Sequence, residues 1–110
     1  MASQLASGDL ISDRYASALY DLAAEKKAVD PVLNDLSNLK KILKNNKELN
    51  LVIKSPLVTS SDKLNIFENL LKKINANELT NTFLKVIEKN KRFSNLASII
   101  TQFIKINSHK

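Results

Sequence analysis

The sequence predicts an all-α protein, a compact bundle of six helices, and three observations point that way. Breakers are scarce: glycine occurs once, at Gly8, and proline twice, at Pro31 and Pro56, which leaves little material for hairpins or glycine turns. Apolar residues return every three or four positions through most of the chain, the period of a helix with one buried face. The stretches between these runs are short and hold residues that start or stop helices. With 110 residues, 44% of them hydrophobic, the chain suits one domain that buries a core of its own.

Residues 1–9 are expected to form a loose arm ahead of a domain spanning 10–107. The first helix is expected from Leu10 to Lys26, capped by Asp9 or Ser12, with Asp13 favouring its positive end. The second starts at Asp30-Pro31, an acidic cap followed by proline in the first helical position. Its stripe of Val32, Leu33, Leu36, Leu39, Ile42 and Leu43 ends at Asn45-Asn46. A short third helix covers Lys47 to Lys54 with Leu49, Val52 and Ile53 inward. Ser55-Pro56 stops it, because a residue before proline is pushed out of helical geometry.

Thr59, with Asp62 three residues later, reads as a capping box for the fourth helix. That helix carries Leu64, Phe67, Leu70, Leu71 and Ile74. Asn77 caps the fifth, from Glu78 to Asn90. The sixth runs from Phe93 to Asn107 with Phe93, Leu96, Ile99, Ile100, Phe103 and Ile104 apolar.

The formal charge of +6 raises the question of a nucleic-acid partner. Of the seventeen cations only Arg14 and Arg92 are arginine, and the lysines are scattered along the chain. Base readout and bidentate phosphate contacts favour arginine, so the charge reads as a solvated surface. No apolar run approaches the ~20 residues that span a bilayer. Cysteine is absent, so neither disulfides nor thiolate chemistry arises. The only histidine is His109, near the chain end. One glycine cannot build a phosphate loop, and no His-x-x-x-His or Glu-x-x-His pair is available for a metal. Glu25, Asp35, Glu48 and Glu68 lie among lysines at helical spacing and read as surface pairs of small value. No catalytic, metal-binding or cofactor-binding residue is therefore expected, and no cofactor.

Two helices have apolar arcs wider than one core-facing stripe. In the first, Ile11, Tyr15, Ala18, Leu19 and Leu22 share a face, while Ala16, Tyr20 and Ala23 lie beside and opposite it. Such a helix is either central in its own domain or covered by a partner. In the fifth, Leu79, Phe83, Leu84, Val86 and Ile87 form the arc, and Asn90 follows one turn after Val86. Asn90 is either a C-terminal cap, where asparagine tolerates left-handed geometry, or a polar anchor at the end of an apolar groove.

The stretch Arg14-Tyr15-Ala16-Ser17-Ala18-Leu19-Tyr20-Asp21-Leu22-Ala23 resembles the opening helix of the F-type ATP synthase delta subunit family, which includes the mitochondrial oligomycin-sensitivity-conferring protein. Lys54-Ser55-Pro56-Leu57 resembles the segment before that family's fourth helix. Phe83-Leu84-x-Val86-Ile87-x-x-Asn90-x-Arg92-Phe93 resembles its Phe-Leu-x-x-Leu-x-x-Asn-x-Arg-Leu block. The resemblance implies a non-catalytic stalk component, peripheral on the cytoplasmic face of the bacterial inner membrane. In that family the first and fifth helices form a groove for the N-terminal helix of an alpha subunit. Carried over, Tyr15, Ala18, Leu19 and Leu22 line one wall, and Phe83, Val86, Ile87 and Asn90 the other. Arg92 is expected to fix the turn between the fifth and sixth helices by hydrogen bonding nearby carbonyls. Family members continue into a smaller C-terminal domain that contacts the stalk's b subunits. This sequence stops at Ser108-His109-Lys110, so b-subunit contact is expected only through that absent domain. Neither nucleic-acid binding nor membrane insertion is expected, and the isolated domain is expected to be a monomer. The competing readings are a NusB-like RNA-binding helical bundle and a generic adaptor for some other amphipathic helix.

Overall fold

The computed structural model describes residues 7–109, and among them the regular elements are six α-helices and one short 3₁₀ turn. They are α1 (Ser7–Glu25), α2 (Val29–Asn45), α3 (Lys47–Lys54), α4 (Ser60–Lys73), α5 (Glu78–Lys89) and α6 (Leu96–Ser108), with the 3₁₀ turn Phe93–Asn95 leading into α6. Helix α1 therefore starts three residues before Leu10 and takes in Ser7–Asp9 of the expected arm. The rest of that arm, 1–6, lies outside the described residues.

The helices end without glycine. Lys27, Asn75 and Lys91 take left-handed backbone angles, φ 56°, 52° and 55°. After α1, Lys27 N–H donates to the Ala24 carbonyl (3.1 Å) and Ala28 N–H to the Ala23 carbonyl (2.7 Å). The same pair of bonds closes α4 through Asn75 and Ala76, and α5 through Lys91 and Arg92. Each is a Schellman arrangement, which satisfies carbonyls the helix leaves open. Asparagine visits this region readily, whereas each lysine bears a cost of roughly 1 kcal/mol that glycine avoids.

Tight closure moves the next helix forward. Ala28 finishes the α1 motif and is already the N-cap of α2, its carbonyl accepting from Val32 N–H at 3.1 Å. Asp30 is thus not the cap but the second residue of α2, and Pro31 the third. Pro31 remains harmless, since first-turn N–H groups have no intrahelical partner. Asn46 ends α2 and caps α3, accepting from Leu49 N–H at 3.0 Å. Thr59 caps α4 through Asp62 N–H (3.1 Å), and Asn77 caps α5 through Leu79 N–H (2.9 Å).

Helix α6 is the spine. Leu96, Ile99, Ile100 and Phe103 are all fully buried, with α1 lying along one side of the helix and α2 along another. Ala16 and Ala23 of α1 are also fully buried, and their small side chains let the two backbones approach closely. Tyr20 packs its ring on Phe103 (5.2 Å between centroids) and donates to Asn107 Oδ1 at 3.2 Å. Gln102 Nε2 donates to Asp13 Oδ1 at 2.6 Å. Neither expected cap holds for α1: Asp9 falls inside the helix as its third residue, and Ser12 lies beyond the first turn, fully buried; Asp13 is likewise past the positive end and turned to α6. Helix α4 brings Phe67 to stack on Phe93 at 5.4 Å.

Asp35 is not a surface partner for lysine. It is 4% exposed, and its Oδ2 accepts from Asn77 N–H and from Thr80 Oγ1, both at 2.7 Å. This carboxylate joins α2 to the start of α5, and the paired donors offset the cost of burying it.

Candidate docking groove between α1 and α5

Helix α1 is held by α6, and α5 by α4 and α2. Between α1 and α5 the structure leaves an open cavity of about 330 Å³, lined by Arg14, Tyr15, Ala18, Leu19, Leu22, Leu79, Thr82, Phe83 and Val86. Leu19 and Phe83 are buried and make the floor. Ala18, Leu22 and Val86 stand on the walls, with Leu22 38% and Val86 41% exposed. The cause is local. In α1 the arc splits in two: Ala16, Leu19, Tyr20 and Ala23 go inward, leaving Tyr15, Ala18 and Leu22 on a flank. In α5, Leu84 and Ile87 reach the core, which turns Leu79 and Val86 toward α1.

Six of the eight residues expected at the groove line it: Tyr15, Ala18, Leu19, Leu22, Phe83 and Val86. The other two do not. Ile87 is fully buried, one helical step off the groove face. Asn90 is exposed beyond the last turn of α5 as its C-cap. Its φ of −92° is not left-handed; Lys91 takes that role. Arg14 and Thr82 line the groove unforeseen, and Leu79, expected on the α5 arc but not on a wall, lines it too; the spacing carries the signal, since Arg14 precedes Ala18 and Leu22 by one and two turns and Thr82 precedes Val86 by one. At Arg92 the turn is held through the backbone. Its N–H donates to the Ile87 carbonyl at 2.9 Å, and its carbonyl accepts from Asn95 N–H at 2.9 Å.

Covering this groove is favourable. Burying a half-exposed leucine or valine contributes on the order of 1 kcal/mol each, and Leu22, Val86 and Tyr15 line one trough. Its long axis, set by two neighbouring helices, suits a third helix laid between them. Among the described residues no cluster of His, Cys, Asp or Glu is placed to hold a metal ion, and no helix is long and apolar enough to cross a membrane.

Comparison with known proteins agrees with this architecture. A family profile described as "ATP synthase delta (OSCP) subunit" matches residues 11–110. The ATP synthase subunit delta of Brucella anthropi is 36% identical over 104 residues, 94% of this chain and 55% of that protein. That of Rhodospirillum centenum is 32% identical over 94 residues, 86% of this chain and 50% of that protein. A chain in the cryo-EM structure of the Toxoplasma gondii mitochondrial ATP synthase hexamer superposes with a TM-score of 0.78 at 33% identity, covering 84% of this chain and 51% of that one. The chain thus spans about half the length of the relatives it matches.

Proposed function

The chain belongs to the ATP synthase delta (OSCP) subunit family, and we propose that it acts as a non-catalytic piece of the peripheral stalk of a proton-translocating F-type ATP synthase. In this reading the α1/α5 groove takes the N-terminal helix of an alpha subunit, so that the catalytic head is tied to the membrane sector and rotor torque does not spin it. The observation that carries the reading is the carbon-lined trough, with a buried floor of Leu19 and Phe83 and exposed walls of Leu22 and Val86. A holdfast needs a slow off-rate, which burial of a few large apolar anchors supplies. The chain then works as a peripheral protein at the cytoplasmic face of a bacterial inner membrane. Contact with the b subunits falls to the half of the family's length beyond the matched region.

Titration of the isotopically labelled chain with a peptide covering the N-terminal segment of the cognate alpha subunit tests this. Saturable shifts centred on Tyr15, Ala18, Leu22, Phe83 and Val86 are expected. Shifts confined to the lysine-rich outer faces, or none at high peptide concentration, overturn it.

A further inference from the structure

The groove has an electrical end. Of its described lining residues only Arg14 carries a formal charge. The adjoining cavity, lined by Lys26, Asn77 and Glu78 among others, places the end of α1 beside the start of α5. The two helices therefore run antiparallel across the groove, and Arg14 marks the far end, where α5 finishes. At the Lys26 end Glu78 stands in the same cavity. At the Arg14 end no carboxylate lines the wall among the described residues. The helical neighbours of Arg14, three and four residues away, are Leu10, Ile11, Ser17 and Ala18. The carboxylate next to it in sequence, on Asp13, is engaged by Gln102 on the α6 side.

We propose that Arg14 is a specificity-determining residue of the groove, and that the helix bound there carries a glutamate or aspartate in the terminal turn that lies over it. The inference rests on the docking reading above and adds the chemistry of the partner. A guanidinium offers a planar fork of donors that matches a carboxylate. Laying a helix over Arg14 strips water from it, which strengthens a charge pair and penalises an apolar or neutral occupant that leaves it unmatched. Discrimination of this kind works against wrong partners as much as for the right one.

The test uses two fluorescein-labelled synthetic amphipathic helices of 16 residues. They share leucines at three- and four-residue spacing and differ only in one terminal-turn residue, glutamate or glutamine. Each is titrated by anisotropy into the 110-residue chain and into Arg14→Gln. Arg14 is exposed, so the variant is expected to fold, and its circular dichroism melt checks this. The expected result is a glutamate preference of about twofold to fivefold in the native chain, erased in Arg14→Gln. Equal affinities in the native chain, or a preference that survives in Arg14→Gln, overturn the assignment of Arg14. If neither peptide binds either protein, the inference fails, while the docking reading stands or falls separately by the alpha-peptide titration above.

Discussion

Replacing Asp35 with alanine tests whether one buried carboxylate sets the position of α5. Asp35 is 4% exposed and accepts from Asn77 N–H and from the fully buried Thr80 hydroxyl, both at 2.7 Å. A hydrogen bond to a charged acceptor contributes about 1.5–3 kcal/mol. Asp35→Ala removes both and leaves the Thr80 hydroxyl buried without an acceptor, so a loss of about 3–5 kcal/mol is expected. For a domain of this size that is a fall in Tm of roughly 10–20 °C. Urea denaturation of the variant gives the free energy directly. Thr80→Val, which keeps the shape and one of the two bonds, is expected to cost only about 1–2 kcal/mol. The double variant should cost clearly less than the sum, because both changes break the same bond. Amide exchange adds a local reading: protection at Leu79 to Asn81 should fall before that of the α6 core. A loss under about 1 kcal/mol for Asp35→Ala, or strict additivity with Thr80→Val, would mean that Asp35 does not hold α5 in place.

Two further changes bear on the fold. Lys91→Gly relieves a left-handed lysine, φ 55°, and is expected to stabilise by about 0.5–1 kcal/mol by chemical denaturation; destabilisation would show that the Lys91 side chain contributes more than its backbone costs. Ser12 is fully buried and its Oγ has no hydrogen-bond partner among the described residues, so Ser12→Ala is expected to leave stability unchanged or raise it by about 1 kcal/mol. A clear loss there would mean that the hydroxyl is satisfied by something the fold conceals, such as a buried water.

Most of the fold was legible because its signals are local. The stripe of α2, the Thr59 and Asn77 caps and the Ser55-Pro56 stop depend on residues a few positions apart, and they land where expected. Where the structure departs from these local signals, the deciding partner is distant or is backbone. Asp30 looked like a cap, but the α1 closure at Lys27 and Ala28 starts α2 before it. Asp35 looked like a surface acid because its donors, Asn77 and Thr80, are 42 and 45 residues away. Helical spacing found the two wide arcs on α1 and α5. It could not divide each arc between core and groove, because that depends on where α6, α4 and α2 sit. Hence Ile87, expected at the surface trough, lies in the core, while Leu79, given to the arc but not to a wall, and Arg14 and Thr82, outside both arcs, line the trough.

The docking role is tested most directly by measuring the Kd of the alpha-subunit N-terminal peptide for the native chain and for Ala18→Glu. Ala18 is exposed on the groove wall, so the substitution should leave the melting temperature unchanged while placing a charge where an apolar helix face must lie. One-to-one binding by the native chain and at least about tenfold weaker binding by the variant are expected. A native chain that does not bind the peptide, or a variant that binds it equally well, would contradict the docking role.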